Sequence, residues 1–426
     1  MTVMEKKRGR DSLEKIWRLA GGKESLYIVG GTVRDLILGD EVTDFDITGD
    51  IDPRKLGRDF ARATKGTVVP IGERFGTTRV VNREGIFDFT VFRGETINED
   101  LRDRDITFNA MAYPLGRLIR EGFDAAYVID PTSGRQDLER KIVRVLSEKS
   151  ITDDPVRIFR IFRFASAYGF LIDRRSRKWA SRNAPTLRGV PGERVREEIF
   201  NVFRGAFFTR ILRTPDFITL VSCFASTQLD EREARIRIRR LLRRVDSPAY
   251  DPVRDVFFKE LSAGRRAIDN LLLLTLFLED GAEFLPRDLF QRFRLSRKEK
   301  NFLARISAVK RRGLFPPRGA SPLKPETFVD AGSFLPHLVL FADGLNAFGN
   351  RRNMVEKTIR FFIEKRNLIE KREIPWISKK SMIHHLIKRE INPKETLRGM
   401  IAETLAGAMK NEQDMLKYID NSSIKR

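Results

Sequence analysis

"LYIVGGTVRDLILGDEVTDFDITGD", residues 26–50, changes its pattern twice along its length. The first six residues are an apolar run that meets two glycines, which is typical of a buried strand entering a turn. The next eight have the spacing of a short helix that ends at Gly39. The last residues alternate with a period of two, so that Asp44, Asp46 and Thr48 share one face of a strand. The stretch therefore predicts a strand, a helix and a second strand that presents two carboxylates.

Two carboxylates at positions i and i+2 of one strand face can share a divalent cation. Mg²⁺ prefers carboxylate oxygens and keeps positions for water and substrate phosphates, and a pair of such ions promotes phosphoryl transfer. Gly30 and Gly31 allow the backbone to approach a bulky anion, and the N–H groups that open the following helix can bind phosphate. Arg34, one turn into this helix, adds a cation. The alternative is an ordinary strand-to-helix turn beside a solvated acidic strand.

A third carboxylate fits the same scheme. The segment FDFTVF, residues 87–92, alternates in the same way and places Asp88 on a polar strand face with Thr90. If this strand lies beside the strand of Asp44 and Asp46, three carboxylates converge on one metal site. Asp88 is therefore a candidate third catalytic acid.

The composition of the whole chain indicates a polyanionic partner. Its 426 residues carry a formal net charge of +22, which is typical of nucleic-acid binding and less often of binding to an anionic membrane surface. An organism whose proteins are all basic is the alternative. The single cysteine, Cys223, cannot form an internal disulfide, and the three histidines lack zinc-binding spacing. The charged N-terminus and the absence of a membrane-length apolar run favour a cytoplasmic protein with no membrane partner.

Several ordered motifs resemble those of the bacterial-type (class II) tRNA nucleotidyltransferase and poly(A) polymerase family. The segments VGGTVRDLILG and TDFDITG resemble its nucleotidyltransferase signature. The further matching stretches are LRDRDITFNAMAY at 101–113 (the Arg-Arg-Asp motif), DPTSGRQDLERKIVRVL at 130–146 (the third motif), DDPVRIFRIFRF at 153–164 (the nucleotide-selecting motif) and ERVREEIF at 193–200 (the motif closing the neck). The likeness is dense over residues 26–205 and thinner beyond.

The resemblance and the periodicity together predict an α+β protein. An N-terminal nucleotidyltransferase head, a mixed sheet with flanking helices, is followed by an all-helical neck, body and tail. The predicted divisions are a head at 1–145, a neck at 146–205, a body at 206–315 and a basic, RNA-binding tail at 316–426. The segment 313–326, rich in proline and glycine, is predicted to be a joint.

In this family the two acids of the signature bind the catalytic metals, which implies Mg²⁺ binding by Asp44 and Asp46. The Gly-Gly turn and its arginine contact the triphosphate, which implies this role for the turn at 30–31 and for Arg34.

The Arg-Arg-Asp motif departs from the family pattern at one position. This chain carries Asp103 in place of the first arginine. Arg104, Asp105 and Asn109 still match, and the resemblance implies ribose and phosphate contacts for these three residues.

The nucleotide-selecting motif, Glu-Asp-x-x-Arg in the family, reads DDPVR at residues 153–157. A carboxylate accepts from an exocyclic amine and a guanidinium donates to ring nitrogen and carbonyl acceptors. Asp154 and Arg157 can therefore read the Watson–Crick edge of cytosine or adenine without a nucleic-acid template. At spacing i and i+3, we expect the two to lie on one face of a helix, where an ordinary salt bridge is the alternative. Arg160 and Arg163 follow as further nucleotide-binding candidates.

The resemblance implies an enzyme that extends the 3′ end of tRNA, holds its acceptor arm and takes CTP and ATP as substrates. Only residues 93–104 separate Phe92 from Asp105. CCA-adding members usually carry a longer flexible loop here, so the short interval predicts an enzyme that adds CMP alone, with AMP addition left open. The alternatives are a poly(A) polymerase of the same family, whose basic segment after Ile-Gly is not matched at 71–72, and a non-catalytic RNA-binding relative. No obligate protein partner is readable.

Overall fold

The computed structural model describes most of the chain as two compact units. The described residues are 9–69, 76–214, 216–262, 264–277, 287–311, 327, 331–344, 352–365, 368–369 and 393–424. One unit comprises Met1–Val190 with Gly205–Ile211, and the other comprises Pro191–Arg204 with Leu212–Arg426. The four-part division into head, neck, body and tail stays a prediction.

The first unit is built around a mixed sheet. Its strands are β1 (Leu26–Val29), β2 (Asp44–Gly49), β3 (Thr67–Val69), β4 (Thr78–Val81), β5 (Ile86–Val91), β6 (Ala112–Pro114), β7 (Ile142–Val143) and β8 (Leu171–Ile172). Its helices are α1 (Arg10–Leu19), α2 (Gly31–Leu38), α3 (Pro53–Thr64), α4 (Ile97–Arg102), α5 (Leu115–Glu121), α6 (Gly134–Glu139), α7 (Glu148–Asp153), α8 (Arg157–Tyr168), α9 (Arg174–Arg182) and α11 (Phe208–Ile211).

The described part of the second unit is almost wholly helical. Its helices are α10 (Gly192–Arg204), α12 (Asp216–Ala225), α13 (Glu231–Val245), α14 (Arg254–Phe258), α15 (Ala267–Leu276), α16 (Arg287–Arg292), α17 (Arg297–Arg311), α18 (Leu335–Gly344), α19 (Arg352–Glu364), α20 (Pro393–Leu405) and α21 (Glu412–Ile424). One short antiparallel pair, β9 (Glu260–Ser262) with β10 (Arg265–Arg266), interrupts them.

Six strands of the first unit form one sheet in the order β3-β4-β5-β2-β1-β6. Strands β2 and β5 are parallel neighbours, and the other pairs are antiparallel. Strand β1 pairs with β2 from Leu26↔Gly49 to Ile28↔Ile47. The acidic end of β2 therefore extends past this pairing. The register between β2 and β5 sets Asp46 directly opposite Asp88.

The two faces of the sheet have opposite chemistry, as the period of two predicts. On the apolar face Phe45 stacks on Phe87 with ring centres 4.9 Å apart, and Phe60 of α3 packs edge-on against Phe87 and Phe89. All four rings are buried. This packing fixes the sheet against α3 and leaves the opposite face of β2 to its carboxylates.

The predicted strand, helix and strand of residues 26–50 are all present, and Gly39 ends α2 in the left-handed conformation (φ 78°). The fold-class prediction is confirmed, with two short additions to the part predicted to be all-helical: the parallel pair of β7 with β8 and the pair of β9 with β10. The predicted joint at 313–326 lies outside the described residues, as do His384 and His385.

The second unit has its core around α15, whose ten residues are all buried. His337 of α18 packs there against Phe257, Phe302 and Phe334. Its Nε2 lies 3.2 Å from the carbonyl of Val256, and burial lowers the pKa of the imidazole to about 4. This histidine is therefore a packed core residue. No helix in the described part of the chain is long and apolar enough to cross a membrane.

Candidate active site

The bend between β1 and α2 lies against the carboxylate of Asp46. Gly30 adopts φ 64° and ψ −127°, where side chains are disfavoured. A Cβ built on it would lie 3.2 Å from Oδ2 of Asp46 and 3.1 Å from Nη1 of Arg104. The N–H of Gly31 donates to the Asp46 carboxylate. The structure thus brings the two glycines, one signature acid and Arg104 to one place, and only glycine fits in the bend.

Thr32, in the first turn of α2, connects that helix to the acidic end of β2. Its Oγ1 accepts the backbone N–H of Asp46 at 2.8 Å and donates to the backbone carbonyl of Asp44 at 3.1 Å. Strand β1 has already stopped pairing at this point, so one buried hydroxyl takes the place of a strand neighbour. Thr32 therefore positions the backbone of both acids relative to the glycine bend.

The two signature acids differ in their surroundings. Asp44 is exposed, whereas Asp46 is partly buried. The pKa of Asp46 is raised to about 6, mainly by burial and also by the charges of Asp88 and Asp44, while Arg104 acts in the opposite direction. Negative charge at Asp46 is therefore only partly compensated by the protein itself, which is the environment that a bound cation would relieve.

Asp88 lies beside Asp46, as predicted, but its side chain is engaged. Nε and Nη2 of Arg79, across the sheet on β4, donate to its two oxygens at 2.8 and 2.6 Å. Within the described residues no cluster of three or more potential metal ligands occurs. A bidentate guanidinium therefore holds the third acid, and the catalytic role of Asp88 stays a prediction.

Arg104 is held by a second buried acid, Asp100 of α4. Nε and Nη2 of Arg104 donate to Oδ2 of Asp100 at 3.0 and 2.9 Å. Asp100 is 2% exposed and also accepts the backbone N–H of Arg93 at 3.2 Å. The same guanidinium presents Nη1 toward Gly30. Asp100 therefore fixes the orientation of the only arginine that remains in the Arg-Arg-Asp motif.

Asp105, the acid of that motif, pairs with Arg160 of α8 instead of facing the glycine bend. Nε of Arg160 lies 2.5 Å from its Oδ2. Burial acts to raise the pKa of Asp105, but Arg160, with Arg157 and Arg163 nearby, outweighs it and lowers the pKa to about 2. The ion pair links the Arg-Arg-Asp motif to the helix that carries the nucleotide-selecting arginines.

Arg34 and Asn109 come together, although they lie far apart in the sequence. Nη1 of Arg34 donates to Oδ1 of Asn109 at 2.9 Å, and its Nε donates to Asp35 at 2.8 Å. Its guanidinium carbon lies 5.1 Å from the ring centre of Tyr168 and 5.7 Å from that of Phe164, both on α8. Tyr168 also donates a hydrogen bond to Asp35. This network ties α2 to α8.

The nucleotide-selecting pair does not lie on one helical face, so this part of the prediction is wrong. Asp154 caps the C-terminus of α7 with extended angles (φ −145°, ψ 90°), and α8 begins at Arg157. The reason is Pro155, because a proline disfavours helical geometry in the residue before it. Arg157 donates to the hydroxyl and the carbonyl of Ser150 at 2.9 and 3.2 Å. The two residues therefore meet at a helix–helix junction.

Arg163 lies further along α8, with its guanidinium carbon 4.5 Å from the ring centre of Phe164. Arg160 stands over the same ring at 5.6 Å. The aromatic residues of α8 therefore support three of the predicted arginines, two from their own helix and Arg34 from α2.

Four positioning residues were missed by the sequence analysis: Thr32, Arg79, Asp100 and Tyr168. The spacing of four between Asp100 and Arg104 is a readable signal for an ion pair. The contacts of Thr32 and Arg79 have no local signal, because both depend on which strands and helices become neighbours.

The comparisons with known proteins agree with these motifs. The family described as the Poly A polymerase head domain matches residues 26–144. A CC-adding tRNA nucleotidyltransferase of Shouchella clausii is 36% identical over 187 residues, which are 44% of this chain and 46% of that protein. Another CC-adding tRNA nucleotidyltransferase, of Synechocystis sp., is 28% identical over 325 residues, 74% of each chain.

Other relatives carry different names. A CCA-adding enzyme of Geobacillus stearothermophilus is 29% identical, and the match covers 44% of this chain and 47% of that protein. An A-adding tRNA nucleotidyltransferase of Aquifex aeolicus is 35% identical, and the match covers 44% of this chain and 24% of that protein. The matched part covers less than half the length of these proteins and of the Shouchella relative. Their names therefore do not decide which nucleotide is added.

The fold is also found among solved structures. A CCA-adding enzyme in complex with ATP matches with a TM-score of 0.67 at 21% identity, covering 97% of this chain and 93% of that chain. At this identity the likeness shows a shared fold. The head-domain match over residues 26–144 and the curated relatives confirm the resemblance to the bacterial-type tRNA nucleotidyltransferase and poly(A) polymerase family.

Proposed function

We propose that this chain is a Mg²⁺-dependent tRNA nucleotidyltransferase that adds CMP from CTP to the 3′ end of tRNA and stops after two cytidines. The observation that carries the proposal is that Asp46 and Arg104 both lie against the Gly30 bend. Acids, backbone N–H groups and a fixed guanidinium at one place are the parts that a metal-bound triphosphate requires.

The residues present fit a hard divalent cation. Asp44 and Asp46 offer carboxylate oxygens from one strand face, and burial, together with the charges of Asp88 and Asp44, raises the pKa of Asp46. When bound, such a cation neutralises phosphate charge and lowers the barrier to attack by a hydroxyl. The divalent requirement follows from the chemistry of the carboxylates, and the choice of Mg²⁺ is part of the proposal.

The remaining roles belong to residues around the bend. We assign the triphosphate to the glycine turn at 30–31 and to the guanidinium of Arg104, which Asp100 holds in place. Arg34 and Asn109, already joined by a hydrogen bond, are assigned to the ribose and phosphates. These groups act by positioning and by neutralising charge, which is the main requirement of phosphoryl transfer.

Base selection is assigned to Asp154 and Arg157, with Arg160 and Arg163 beside them on α8. Both members of the pair lie at the junction of α7 and α8, so their separation is set by the turn through Pro155 rather than by helical rise. Arg157 retains donors besides the Nη1 that binds Ser150. A carboxylate and a guanidinium with fixed backbones can present one acceptor and two donors to cytosine.

The CC-only reading rests on the connection between β5 and Arg104. It contains α4, whose capping box joins Thr96 and Glu99, and the Glu99 carboxylate also accepts the N–H of Glu95 at 2.7 Å. The N–H of Arg93 is bound by Asp100. The segment is therefore a short, hydrogen-bonded turn where CCA-adding members carry a longer loop. The Synechocystis relative, which matches 74% of each chain, is named CC-adding and supports the same reading.

The test is nucleotide addition to a tRNA transcript that lacks its CCA end, with CTP alone, ATP alone and both together. We expect two added cytidines with CTP, none with ATP alone, and no adenosine after the cytidines when both are present. An adenosine following the cytidines overturns the CC-only assignment, and long adenosine tails assign the chain to the poly(A) polymerase branch. No incorporation with any nucleotide overturns the enzyme proposal and leaves a non-catalytic RNA-binding relative.

A further inference from the structure

A basic cavity lies in the second unit, at the C-terminal end of α13. Its volume is about 450 Å³, and it is lined by Arg240, Arg243, Arg244, Ser247 and Pro248. Arg240 and Arg244 are partly buried and Arg243 is exposed. Three guanidinium groups therefore face one concave site, and its lining residues in the described part of the chain include no carboxylate.

One of the three arginines, Arg244, is held by a buried relay, in which Tyr250 holds Asp343 and Asp343 holds Arg244. Nε of Arg244 lies 3.3 Å from Oδ1 of Asp343, which is 4% exposed. The phenol of Tyr250, fully buried, donates to Oδ2 of the same carboxylate at 3.1 Å. Burial, followed by the charge of Asp343, raises the pKa of Tyr250, so its hydroxyl stays protonated and keeps donating. Arg244 is thus fixed before any ligand arrives.

Two backbone carbonyl groups at the helix end beside the cavity already accept hydrogen bonds from a side chain. Carbonyl groups at a helix C-terminus carry partial negative charge, which disfavours an anion. Arg254 donates to the carbonyls of Val245 and Ser247 at 3.2 and 3.4 Å, and its own ion pair is with Asp251. These contacts offset the unfavourable dipole at the position where an anion would enter.

The other two arginines that line the cavity, Arg240 and Arg243, add further positive charge. In the described part of the chain, Arg240 and Arg243 form no ion pair, whereas Arg235 and Arg237 earlier on the same helix pair with Glu231 and Glu233. The acids of α13 are confined to its first turn. Asp246 caps the C-terminus of the helix and adds one acid beside Arg240 and Arg243, so this end keeps an excess of positive charge next to an oriented guanidinium.

We propose that this cavity binds a phosphodiester group of the RNA substrate. Guanidinium forks match phosphate oxygens in geometry and charge. The described residues that line the cavity include neither an aromatic ring nor a carboxylate, so they offer nothing that would recognise a base, and a free nucleotide is the weaker fit. The net charge of +22 favours a polyanion over a free phosphate ion. That the polyanion is RNA rests on the proposed function.

The test measures binding of the tRNA transcript without its CCA end to the full-length chain, by fluorescence anisotropy at several salt concentrations. The variant is Arg240→Gln with Arg243→Gln. The control is Arg232→Gln with Arg239→Gln, which removes the same charge from the same helix outside the cavity, again from one exposed and one partly buried residue.

We expect the cavity variant to lose on the order of tenfold in affinity and its log–log salt slope to become shallower by roughly two, as for two lost phosphate contacts. The control should lose less than about threefold, the part expected from general charge alone. Equal losses in both variants, or none in the cavity variant, overturn the proposal.

Three further measurements distinguish this site from the catalytic site and from a small-anion site, and test the buried contacts behind Arg244. Asp44→Asn with Asp46→Asn should leave RNA binding intact, so failure of the proposed catalysis is distinguishable from failure of this site. If inorganic phosphate or CTP at millimolar concentration binds the wild type and not the cavity variant, the site belongs to a small anion and the RNA assignment is overturned. Tyr250→Phe should weaken RNA binding with Arg240 and Arg243 intact, and unchanged affinity contradicts the relay.

Discussion

Removing the hydroxyl of Thr32 is expected to displace both signature acids without touching either of them. Thr32→Val keeps the branched shape but removes the acceptor of the Asp46 N–H, at 2.8 Å, and the donor to the Asp44 carbonyl, at 3.1 Å. A buried N–H left without a partner costs about 1–3 kcal/mol, and a lost neutral hydrogen bond costs about 1 kcal/mol more. Burying a methyl group in place of the hydroxyl returns about 1 kcal/mol. The local cost is therefore about 2 kcal/mol.

This cost falls on one strand end, so a local probe measures it best. The chain has two units, and a single unfolding free energy does not describe such a protein. Amide hydrogen exchange at Asp46 reports the local opening directly. With a local cost of about 2 kcal/mol, we expect the Asp46 amide to exchange on the order of thirtyfold faster in Thr32→Val. Thr32→Ser, which keeps the hydroxyl, should retain wild-type exchange.

Catalysis should follow the same pattern. A displacement of about 1 Å of a catalytic group costs on the order of a hundredfold in rate. We expect kcat for CMP incorporation to fall on the order of tenfold or more in Thr32→Val, with the KM for the tRNA unchanged and with recovery in Thr32→Ser. The reasoning is refuted if Thr32→Val exchanges and reacts like the wild type, or if Thr32→Ser is as impaired as Thr32→Val.

The remaining predictions concern groups around the site and in the second unit. Asp100→Asn weakens the hold on Arg104, so the KM for CTP should rise several-fold while RNA binding stays constant; an unchanged KM contradicts the positioning role. Arg160→Gln leaves the Asp105 charge buried without its partner and should destabilise the first unit by about 3 kcal/mol in thermal melts. The double variant Asp105→Asn with Arg160→Gln should be more stable than Arg160→Gln, and a less stable double variant contradicts this account. The pKa of His337 is about 4 in the folded chain and near 6.5 in the unfolded chain, so the unfolded state takes up the proton first as the pH falls. The free energy of unfolding of the second unit should therefore decrease by about 2 kcal/mol between pH 6.5 and pH 5, as measured by urea titration. His337→Gln should flatten that dependence, and a slope that persists in the variant assigns it to other groups.

Local pattern was enough to predict the elements that carry the site. The alternation around Asp44 and Asp46 depends only on the geometry of a strand, and the bend at Gly30 depends on a residue that tolerates positive φ. Both therefore have signals within a few residues. The strand of Asp88 does lie beside β2, an adjacency that the sequence left open.

What the sequence did not predict depends on contacts between distant segments. The pairing of Asp88 with Arg79 requires the register of β4 against β5, which no short pattern specifies. The break between Asp154 and Arg157 had a local signal in Pro155, but the helical spacing of the surrounding arginines outweighed it in the interpretation. Periodicity describes a helix well and its first turn poorly.

The central claim is that Asp44 and Asp46 hold a divalent cation beside the glycine bend. The direct measurement is Mn²⁺ titration of the full-length chain with CTP present, followed by electron paramagnetic resonance. We expect bound Mn²⁺ in the wild type and in the control Asp50→Asn with Asp59→Asn, which removes two nearby acids outside the site, and loss of the bound signal in Asp44→Asn with Asp46→Asn. Equal Mn²⁺ binding by the signature-acid variant and the wild type would contradict the account.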